Sequence, residues 1–262
     1  MTATASHGKP HLTRAIAAER HKLAFYPETQ FGEFSNYDGT VAFYTRVNAL
    51  LRPSSVVVDF GCGRGEHVED PVEFRRKFRC LKGRVANVIG IDVDAAGCSN
   101  PTIDEFRLLE NGENWPLPER SVDVVICDSV LEHILVPRLF FAEAARVLGE
   151  GGMLCIRTTN LLSYVGVAAK LLPGALHKSV LRRVQGIRKD EDIFPTVYRC
   201  NTITAVRRAL RQNGFCGTVY GHTAEPSYLS FSKVAYAVGV LHQKFAPSMF
   251  ATTIFAFGRK AS

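Results

Sequence analysis

Apolar residues in the middle and at the end of the chain form short runs separated by amphipathic stretches. Runs of this length, rich in β-branched residues, are typical of strands buried in a parallel sheet. Seven are predicted as strands: SSVVVDF (54–60), ANVIGIDVD (86–94), EFRLLEN (105–111), SVDVVICDS (121–129), MLCIRTTN (153–160), CGTVYGH (216–222) and ATTIFAFGRK (251–260). Because helical patterns lie between them, the chain is predicted to be an α/β protein with right-handed crossovers.

Three of the intervening stretches have helical spacing. The stretch 66–78 is polar and roughly helical, although Pro71 interrupts it. The stretch 138–152 predicts an amphipathic helix stopped by glycines, and 201–215 predicts a helix capped by Asn201 and ended at Gly214.

Two long segments do not fit this alternation. They span residues 161–200 and 224–249, and insertions of this size usually serve a site. The chain is therefore predicted to be one domain over 1–262, with a core at 55–160 and the two insertions as a substrate cap. A lid helix is predicted at 228–241. Residues 1–50 are expected to cover the ligand, with Phe34, Tyr37 and Tyr44 on an N-terminal helix and the first dozen residues disordered.

The composition argues against a membrane-spanning or a secreted protein. Of the 262 residues, 46% are apolar, which is enough for a full core, but no apolar run reaches the roughly 18 residues of a membrane span. The N-terminus lacks the pattern of a signal peptide. The seven cysteines never form C-x-x-C, so they are interpreted as free thiols and the protein as cytoplasmic.

The net charge of +7 is concentrated in one segment. Ten Lys or Arg and three acidic residues lie between Lys170 and Arg211, and the rest of the chain is neutral. This segment could hold an anionic substrate, a nucleic acid or a membrane surface, or it could be a solvated helical face over 177–189. Aromatic residues are nearly absent from 177–193, which makes nucleic acid the less favoured partner.

The sequence VVVDFGCGRGEH (56–67) has the most specific chemistry in the chain. Three alternating glycines follow an apolar run and an acid, giving D-x-G-x-G-x-G. A dinucleotide-binding loop would need its third glycine where Glu66 stands, and that carboxylate would repel a pyrophosphate. The Lys that a P-loop requires is also missing. The loop therefore favours a ligand without a phosphate at this position.

VVDFGCGRG resembles the first motif of the class I S-adenosylmethionine-dependent methyltransferases. The resemblance implies a Rossmann-like, seven-stranded, mostly parallel sheet with helices on both faces and helical cap insertions. It also implies that S-adenosyl-L-methionine is the cofactor, and that its amino-acid end lies against Asp59 and the loop residues Gly61, Cys62, Gly63 and Gly65.

Four later segments resemble the same family in the same order. Asp92 and Val93 follow the second strand, where a carboxylate can accept from both ribose hydroxyls; Asp94 is better placed as a cap. The loop ENGENWPLP (110–118) places Asn111 and Gly112 near the adenine. Asp128 and Ser129, in VVICDSVLEHI, would lie under the methionine portion, and RVLGEGGMLCI (146–156) leads into the fifth strand.

Candidate catalytic residues surround this predicted site. Some relatives bind a metal through E-x-x-E-H, but this chain has Ser129 in place of the first carboxylate, so no metal is predicted. His133 is interpreted as a base or substrate contact, or as a packed helix start. Tyr198, after the first insertion, could close over the methyl group or simply pack. His177, His222 and Glu225 are further candidates for a base.

The expected function is methyl transfer to a small or medium-sized acceptor that is anionic or partly apolar, with O-methylation favoured. Two alternatives stay open: an RNA methyltransferase that uses the basic segment, and a non-catalytic protein that binds the cofactor. The sequence does not indicate the oligomeric state.

Overall fold

The computed structural model describes residues 18–110, 114–171 and 195–261. Several predictions fall outside these residues: the disordered N-terminus, Asn111 and Gly112 in the adenine loop, His177, and the basic helix at 177–189.

Seven strands form one sheet in the order β3-β2-β1-β4-β5-β7-β6. Strands β1 to β5 pair in parallel, and β7 lies antiparallel between β5 and β6. The predicted mostly parallel, seven-stranded sheet is therefore confirmed. The strands are β1 Val56–Phe60, β2 Asn87–Asp92, β3 Glu105–Leu108, β4 Val122–Asp128, β5 Leu148–Thr159, β6 Phe215–His222 and β7 Thr253–Lys260.

Helices cover both faces of the sheet. They are α1 (helical over 18–25), α2 Gly39–Leu50, α3 Glu73–Arg79, α4 Pro137–Val147, α5 Tyr164–Leu171, α6 Ile203–Gln212 and α7 Lys233–Phe245. One apolar cluster joins the α2 side chains Phe43 and Val47 to β1 and β4. A second cluster joins Phe141 of α4 and Val206 of α6 to the opposite face. Burial of these apolar side chains is the main force that holds the helices on the sheet.

Several predicted boundaries need correction. The stretch 66–78 is two elements, a 3₁₀ turn Glu66–Glu69 and α3, because the segment around Pro71 separates them. The glycines at 151 and 152 do not precede β5 but lie inside it, where the register with β4 shifts. The cap of α6 is Thr202, whose hydroxyl accepts from the Ala205 amide at 3.2 Å.

Asn201, the predicted cap, is buried and donates to the Thr158 hydroxyl at 2.7 Å. The predicted lid helix is α7, which begins five residues later than expected. Tyr44 lies on α2 as predicted, but Phe34 and Tyr37 precede that helix.

The topology gathers most of the long connections at one edge. The carboxyl ends of β1 to β6 all lie at this edge, because these six strands point the same way. Both predicted insertions begin here, the first after β5 and the second, with α7, after β6. In the described part of the chain, no helix is long and apolar enough to cross a membrane. Ligand sites in open α/β sheets lie beyond this edge.

The burial pattern predicts that buried and exposed phenylalanines contribute differently to the free energy of unfolding. Phe141→Ala removes a fully buried ring from the core and should lower the free energy of unfolding by about 3–5 kcal/mol. Phe231→Ala removes a ring that is 75% exposed and should change it by less than about 0.5 kcal/mol. Urea unfolding of both variants measures the difference; equal losses would contradict the packing described.

Candidate active site at the carboxyl edge of the sheet

The glycine loop after β1 is tightly packed at its first and third glycines and open at its second. Gly61, Gly63 and Gly65 all have positive φ, at 73°, 50° and 77°. A Cβ on Gly61 would meet Val130 at 2.3 Å, and one on Gly65 would meet Asn100 at 2.4 Å, whereas one on Gly63 would meet nothing within 4 Å. Gly63 therefore exposes bare backbone to open space, as a loop that receives a ligand must.

Hydrogen bonds fix the loop to the neighbouring strand. The amide of Gly61 donates to the Ile91 carbonyl at 2.7 Å, and the Asn100 side chain donates to the Cys62 carbonyl at 2.9 Å. The Cys62 thiol is buried, and a Cβ on Gly90 would meet its sulfur at 2.7 Å. Burial raises the pKa of this thiol, so it stays neutral and acts as a packing group.

Asp92 lies at the end of β2, beside the open side of the loop. One of its carboxylate oxygens accepts from the Gly63 amide and the other from the Asp94 amide, each at 2.9 Å. Each oxygen keeps a second lone pair for a further donor. Val93 follows with its side chain largely exposed. Asp94 caps the next turn by accepting from the Ala96 amide, as predicted.

Asp59 lines a small polar cavity beneath the loop. The cavity is lined by Tyr44, Val57, Asp59, Gly61, Cys62, His67, Arg79, Leu81, Val88, Thr102, Ile126 and Asp128. Burial raises the pKa of the Asp59 carboxyl to about 6, against the opposing charge of Arg79 and with help from Asp128 and Asp92. Asp59 therefore titrates close to neutral pH.

His67 and Arg79 line the same cavity and were not predicted as site residues. The Nε2 of His67 and the Nε of Arg79 are buried, and neither has a hydrogen-bond partner among the described residues. Burial and the nearby Arg79 lower the pKa of His67 to about 4, so its ring is neutral at pH 7. The only sequence signal was their place in the polar stretch directly after the glycine loop.

Asp128 is the centre of a buried ion network. Its two oxygens accept from Nε and Nη2 of Arg157, both at 2.6 Å, and one also accepts from the Tyr44 hydroxyl at 3.2 Å. Arg79 lies 3.5 Å from the same carboxylate. Despite its burial, Asp128 has its pKa lowered to about 2 by the two arginines. Asp128 is thus occupied by protein partners.

Ser129 continues the chain out of β4 in a left-handed conformation, with φ at 62°. Its amide donates to the Arg157 carbonyl at 2.8 Å, and its hydroxyl donates to Asp128 at 3.2 Å. The ion pair therefore also fixes the turn that leads to the predicted catalytic residues.

His133 and Tyr198 are brought together through Glu132. The buried Glu132 carboxylate accepts from the hydroxyls of Thr158 and Thr159, and its backbone carbonyl accepts from the Tyr198 amide at 3.1 Å. The Nδ1 of His133 lies 3.0 Å from the Pro195 carbonyl. Two segments far apart in sequence, 131–133 and 195–198, therefore form one wall of the site.

The local chemistry of the two predicted catalytic residues differs. A carbonyl only accepts, so in the neutral His133 ring Nδ1 carries the hydrogen and Nε2 is the nitrogen that can take a proton. Tyr198 has a left-handed backbone, with φ at 49°. Burial, and secondarily Glu132, raise the pKa of its phenol, which is therefore neutral.

Two further candidates for a base are held in structural contacts. The His222 ring stacks on Phe255 with centroids 4.7 Å apart, and its Nε2 lies 3.2 Å from the Tyr37 carbonyl. Glu225 accepts from the Ser35 hydroxyl at 2.6 Å. These contacts join the segment before α2 to the second insertion.

Comparison with known proteins agrees with this geometry. A family model described as a methyltransferase domain matches residues 58–156. A probable S-adenosylmethionine-dependent methyltransferase from Mycolicibacterium smegmatis is 30% identical over 115 residues, which cover 41% of this chain and 39% of that protein. A ubiquinone biosynthesis O-methyltransferase from Hahella chejuensis is 30% identical over 142 residues, covering 48% and 56%. The chain thus spans about half or less of the length of these relatives.

The fold has solved counterparts across nearly the whole chain. A SAM-dependent methyltransferase from Thermotoga maritima superposes with a TM-score of 0.51 over 95% of this chain and 98% of that one, at 15% identity. At this identity the likeness concerns the fold. Residues 58–156, which contain the glycine loop, thus match a methyltransferase domain, and the fold of the chain is similar to that of the class I S-adenosylmethionine-dependent methyltransferases.

Proposed function

We propose that this chain transfers a methyl group from S-adenosylmethionine to a small or medium-sized acceptor, with oxygen as the favoured nucleophile. The observation that carries the proposal is the glycine loop, which is open at Gly63 directly beside Asp92. The proposed unit is a single domain over 1–262, with residues 1–50 over the cofactor and the segments 161–200 and 224–249 as the substrate cap.

The residues present fit the cofactor. Asp92 would accept from the ribose hydroxyls, and the backbone of the glycine loop would lie along the methionine portion. Asp59 suits the cationic amino group, and the orphaned Nε atoms of Arg79 and His67 suit the carboxylate. Asp128 and Ser129 would support this end indirectly through Arg157. Val93, Asn111 and Gly112 are proposed to border the adenine.

The bound cofactor supplies an already activated methyl group, so the protein's main task is to align the acceptor. His133 is proposed to take the proton of an acceptor hydroxyl at Nε2, because Pro195 fixes the ring through Nδ1. Tyr198, a neutral phenol on the same wall, is proposed to orient the acceptor and exclude water.

The nature of the acceptor follows from the cap. The segments 161–200 and 224–249 are rich in apolar residues, which suits a pocket for a partly apolar molecule. The Hahella chejuensis relative, named as an O-methyltransferase of ubiquinone biosynthesis, supports both the oxygen nucleophile and a biosynthetic role. All seven cysteines are among the described residues and are free thiols, which supports a cytoplasmic location.

Calorimetry with S-adenosylhomocysteine tests the cofactor, and a screen of hydroxyl, amine and carbon acceptors with labelled methyl donor tests the transfer. Binding of S-adenosylhomocysteine with labelled product from a hydroxyl acceptor is the expected result. Binding of NAD in its place would overturn the proposal. Binding without product from any acceptor class would indicate a non-catalytic cofactor-binding protein.

Asp92→Ala should weaken S-adenosylhomocysteine binding at least about tenfold, because hydrogen bonds to a charged acceptor contribute about 1.5–3 kcal/mol. The matched control is Asp94→Ala, which removes a carboxylate two residues away that caps a turn and lies 3.7 Å from Arg64. Titration calorimetry compares the two. Similar dissociation constants for both variants would contradict the ribose assignment.

Binding of S-adenosylhomocysteine should weaken as pH falls below about 6. With a pKa of about 6, Asp59 is protonated in the free protein below that pH and must release its proton to pair with the ligand ammonium. The dissociation constant should therefore rise by up to about tenfold per pH unit between pH 6 and 5, and level off above pH 7.

Asp59→Asn is the control for this pH effect: it should abolish the dependence and bind more weakly at pH 7. His67 should not contribute, because its pKa of about 4 lies below this window. A pH profile that Asp59→Asn leaves unchanged would exclude Asp59 as the titrating group.

His133→Gln should lower turnover of a hydroxyl acceptor by about a hundredfold or more, since it removes the proposed base, with little change in S-adenosylhomocysteine affinity. His222→Gln is the control, because that ring is stacked on Phe255. Initial rates with labelled methyl donor measure both variants. A larger loss of turnover in His222→Gln than in His133→Gln would show that His133 is not the base.

A further inference from the structure

Helix α7 is apolar on both of its sides. Its inner side is buried: Tyr236 packs edge-on against Tyr26, with ring centroids 6.3 Å apart, and Gly239 fits closely against Pro226. The opposite side presents Val234, Val238, Leu241 and Phe245, which are 74%, 58%, 56% and 78% exposed, and Phe231, two residues before the helix, is 75% exposed. A surface helix normally carries polar residues there, so this exposed stripe calls for a partner.

The spacing of the exposed stripe makes it continuous. The four exposed apolar residues of the helix follow one another at intervals of four, three and four, so they lie in one row along it. From Val234 to Phe245 the row is about 17 Å long. It is thus an extended apolar ridge rather than a pocket for one side chain.

Cations flank the stripe. Lys233 and Lys244 are exposed and eleven residues apart, so they lie on the same flank of α7, about 20° from one another around the axis. From Pro226 to Ser262 the sequence contains no acidic residue. The stripe therefore combines apolar side chains with positive charge only, a combination that matches an anionic lipid surface.

Neighbouring elements at the same edge repeat the combination. Leu135 and Val136 are exposed beside Arg138 after β4, and Leu162 and Val167 are exposed beside Lys170 on and before α5. The α5 residue Tyr164 contacts His242 of α7 edge-on at 5.3 Å between ring centroids. Apolar and cationic groups thus occur together in three separate connections at one edge of the sheet.

Charge also weighs against a two-fold pair of α7 helices as the occupant. In an antiparallel pair centred on Val238, Lys233 of one helix would lie beside Lys244 of the other, on the same flank. Two such like-charge contacts would oppose the pairing.

We propose that the outer face of α7 binds the surface of an anionic membrane, with its apolar stripe among the lipid acyl chains and Lys233 and Lys244 at the headgroups. The membrane contact rests on this face alone. One consequence, which rests on the proposed function, is that the mouth of the site would open toward acceptors dissolved in lipid, because α7 and the catalytic wall share the carboxyl edge of the sheet.

Cosedimentation of the full chain with vesicles tests this inference. Vesicles of phosphatidylcholine with about 30% phosphatidylglycerol should bind the protein, and vesicles of phosphatidylcholine alone should bind it at least about tenfold more weakly. Raising the salt concentration should reduce binding to the anionic vesicles. No binding to either vesicle at low salt would overturn the proposal.

Two variants separate the apolar and charged contributions. Val234→Ser/Leu241→Ser/Phe245→Ser and Lys233→Glu/Lys244→Glu should each reduce binding to anionic vesicles about tenfold or more. Arg208→Glu/Arg211→Glu on α6 is the matched control, because it makes the same change in net charge on an exposed helix that ends at the opposite edge. Equal losses in the two charge variants would indicate an effect of net charge alone, and an unchanged affinity of the triple serine variant would exclude the apolar stripe; either result would overturn the assignment to α7.

Further measurements on the same proteins identify other occupants. If the triple serine variant converts a dimer to a monomer in light scattering, the face binds a second copy. If it lowers the unfolding temperature by several degrees, the face is covered by this chain. Either result overturns the proposal. S-adenosylhomocysteine affinity should be unchanged in these variants, so a failure of cofactor binding and a failure of membrane binding remain distinguishable.

Discussion

The ion pair between Asp128 and Arg157 is the interaction on which the geometry of the site depends. The two residues are register partners on the central strands β4 and β5, and they meet through two hydrogen bonds of 2.6 Å. A buried ion pair contributes little net stability, but loss of one partner leaves an uncompensated charge. Arg157 also donates to Thr40 and lies over the ring of Phe43, so the pair fixes α2 above the glycine loop.

A second buried carboxylate, that of Glu132, orders the wall of the site formed by residues 131–133 and 195–198. Glu132 is held by the threonine hydroxyls at 158 and 159, and none of the described residues forms an ion pair with it. Its backbone carbonyl accepts two amides of the segment 195–198, so one residue joins the turn after β4 to the end of the first insertion. The two acids, four residues apart, therefore order different parts of the site: Asp128 orders the side of the glycine loop, and Glu132 orders the wall formed by residues 131–133 and 195–198.

The sequence was informative where local pattern decides the structure. The buried strand before Asp59 and the glycines at 61, 63 and 65 follow from local composition and backbone freedom, and both were predicted. Arg157 and Arg79 were missed because their role arises from pairings 29 and 49 residues away, which periodicity does not contain. The predicted cap at Asn201 was wrong because that side chain is buried and donates to the Thr158 hydroxyl, so it does not cap the helix. Likewise, hydropathy predicted a lid helix but could not indicate that α7 turns an apolar side to solvent.

The distribution of charge at the carboxyl edge is consistent with an apolar neighbour. Approach of a low-dielectric medium raises the cost of any charge that lacks a partner. Among the described residues that end or follow β4, β5 and β6 at this edge, the acids are already bonded: Asp128 to Arg157, Glu132 to two threonines and Glu225 to Ser35. The exposed charges there are lysines and arginines, whose long stems can lie along apolar surface while the charged ends stay in water. The described residues after β4, β5 and β6 can therefore meet lipid without leaving a carboxylate unpaired, so the same pairings that order the site would also make this part of the edge tolerant of a membrane.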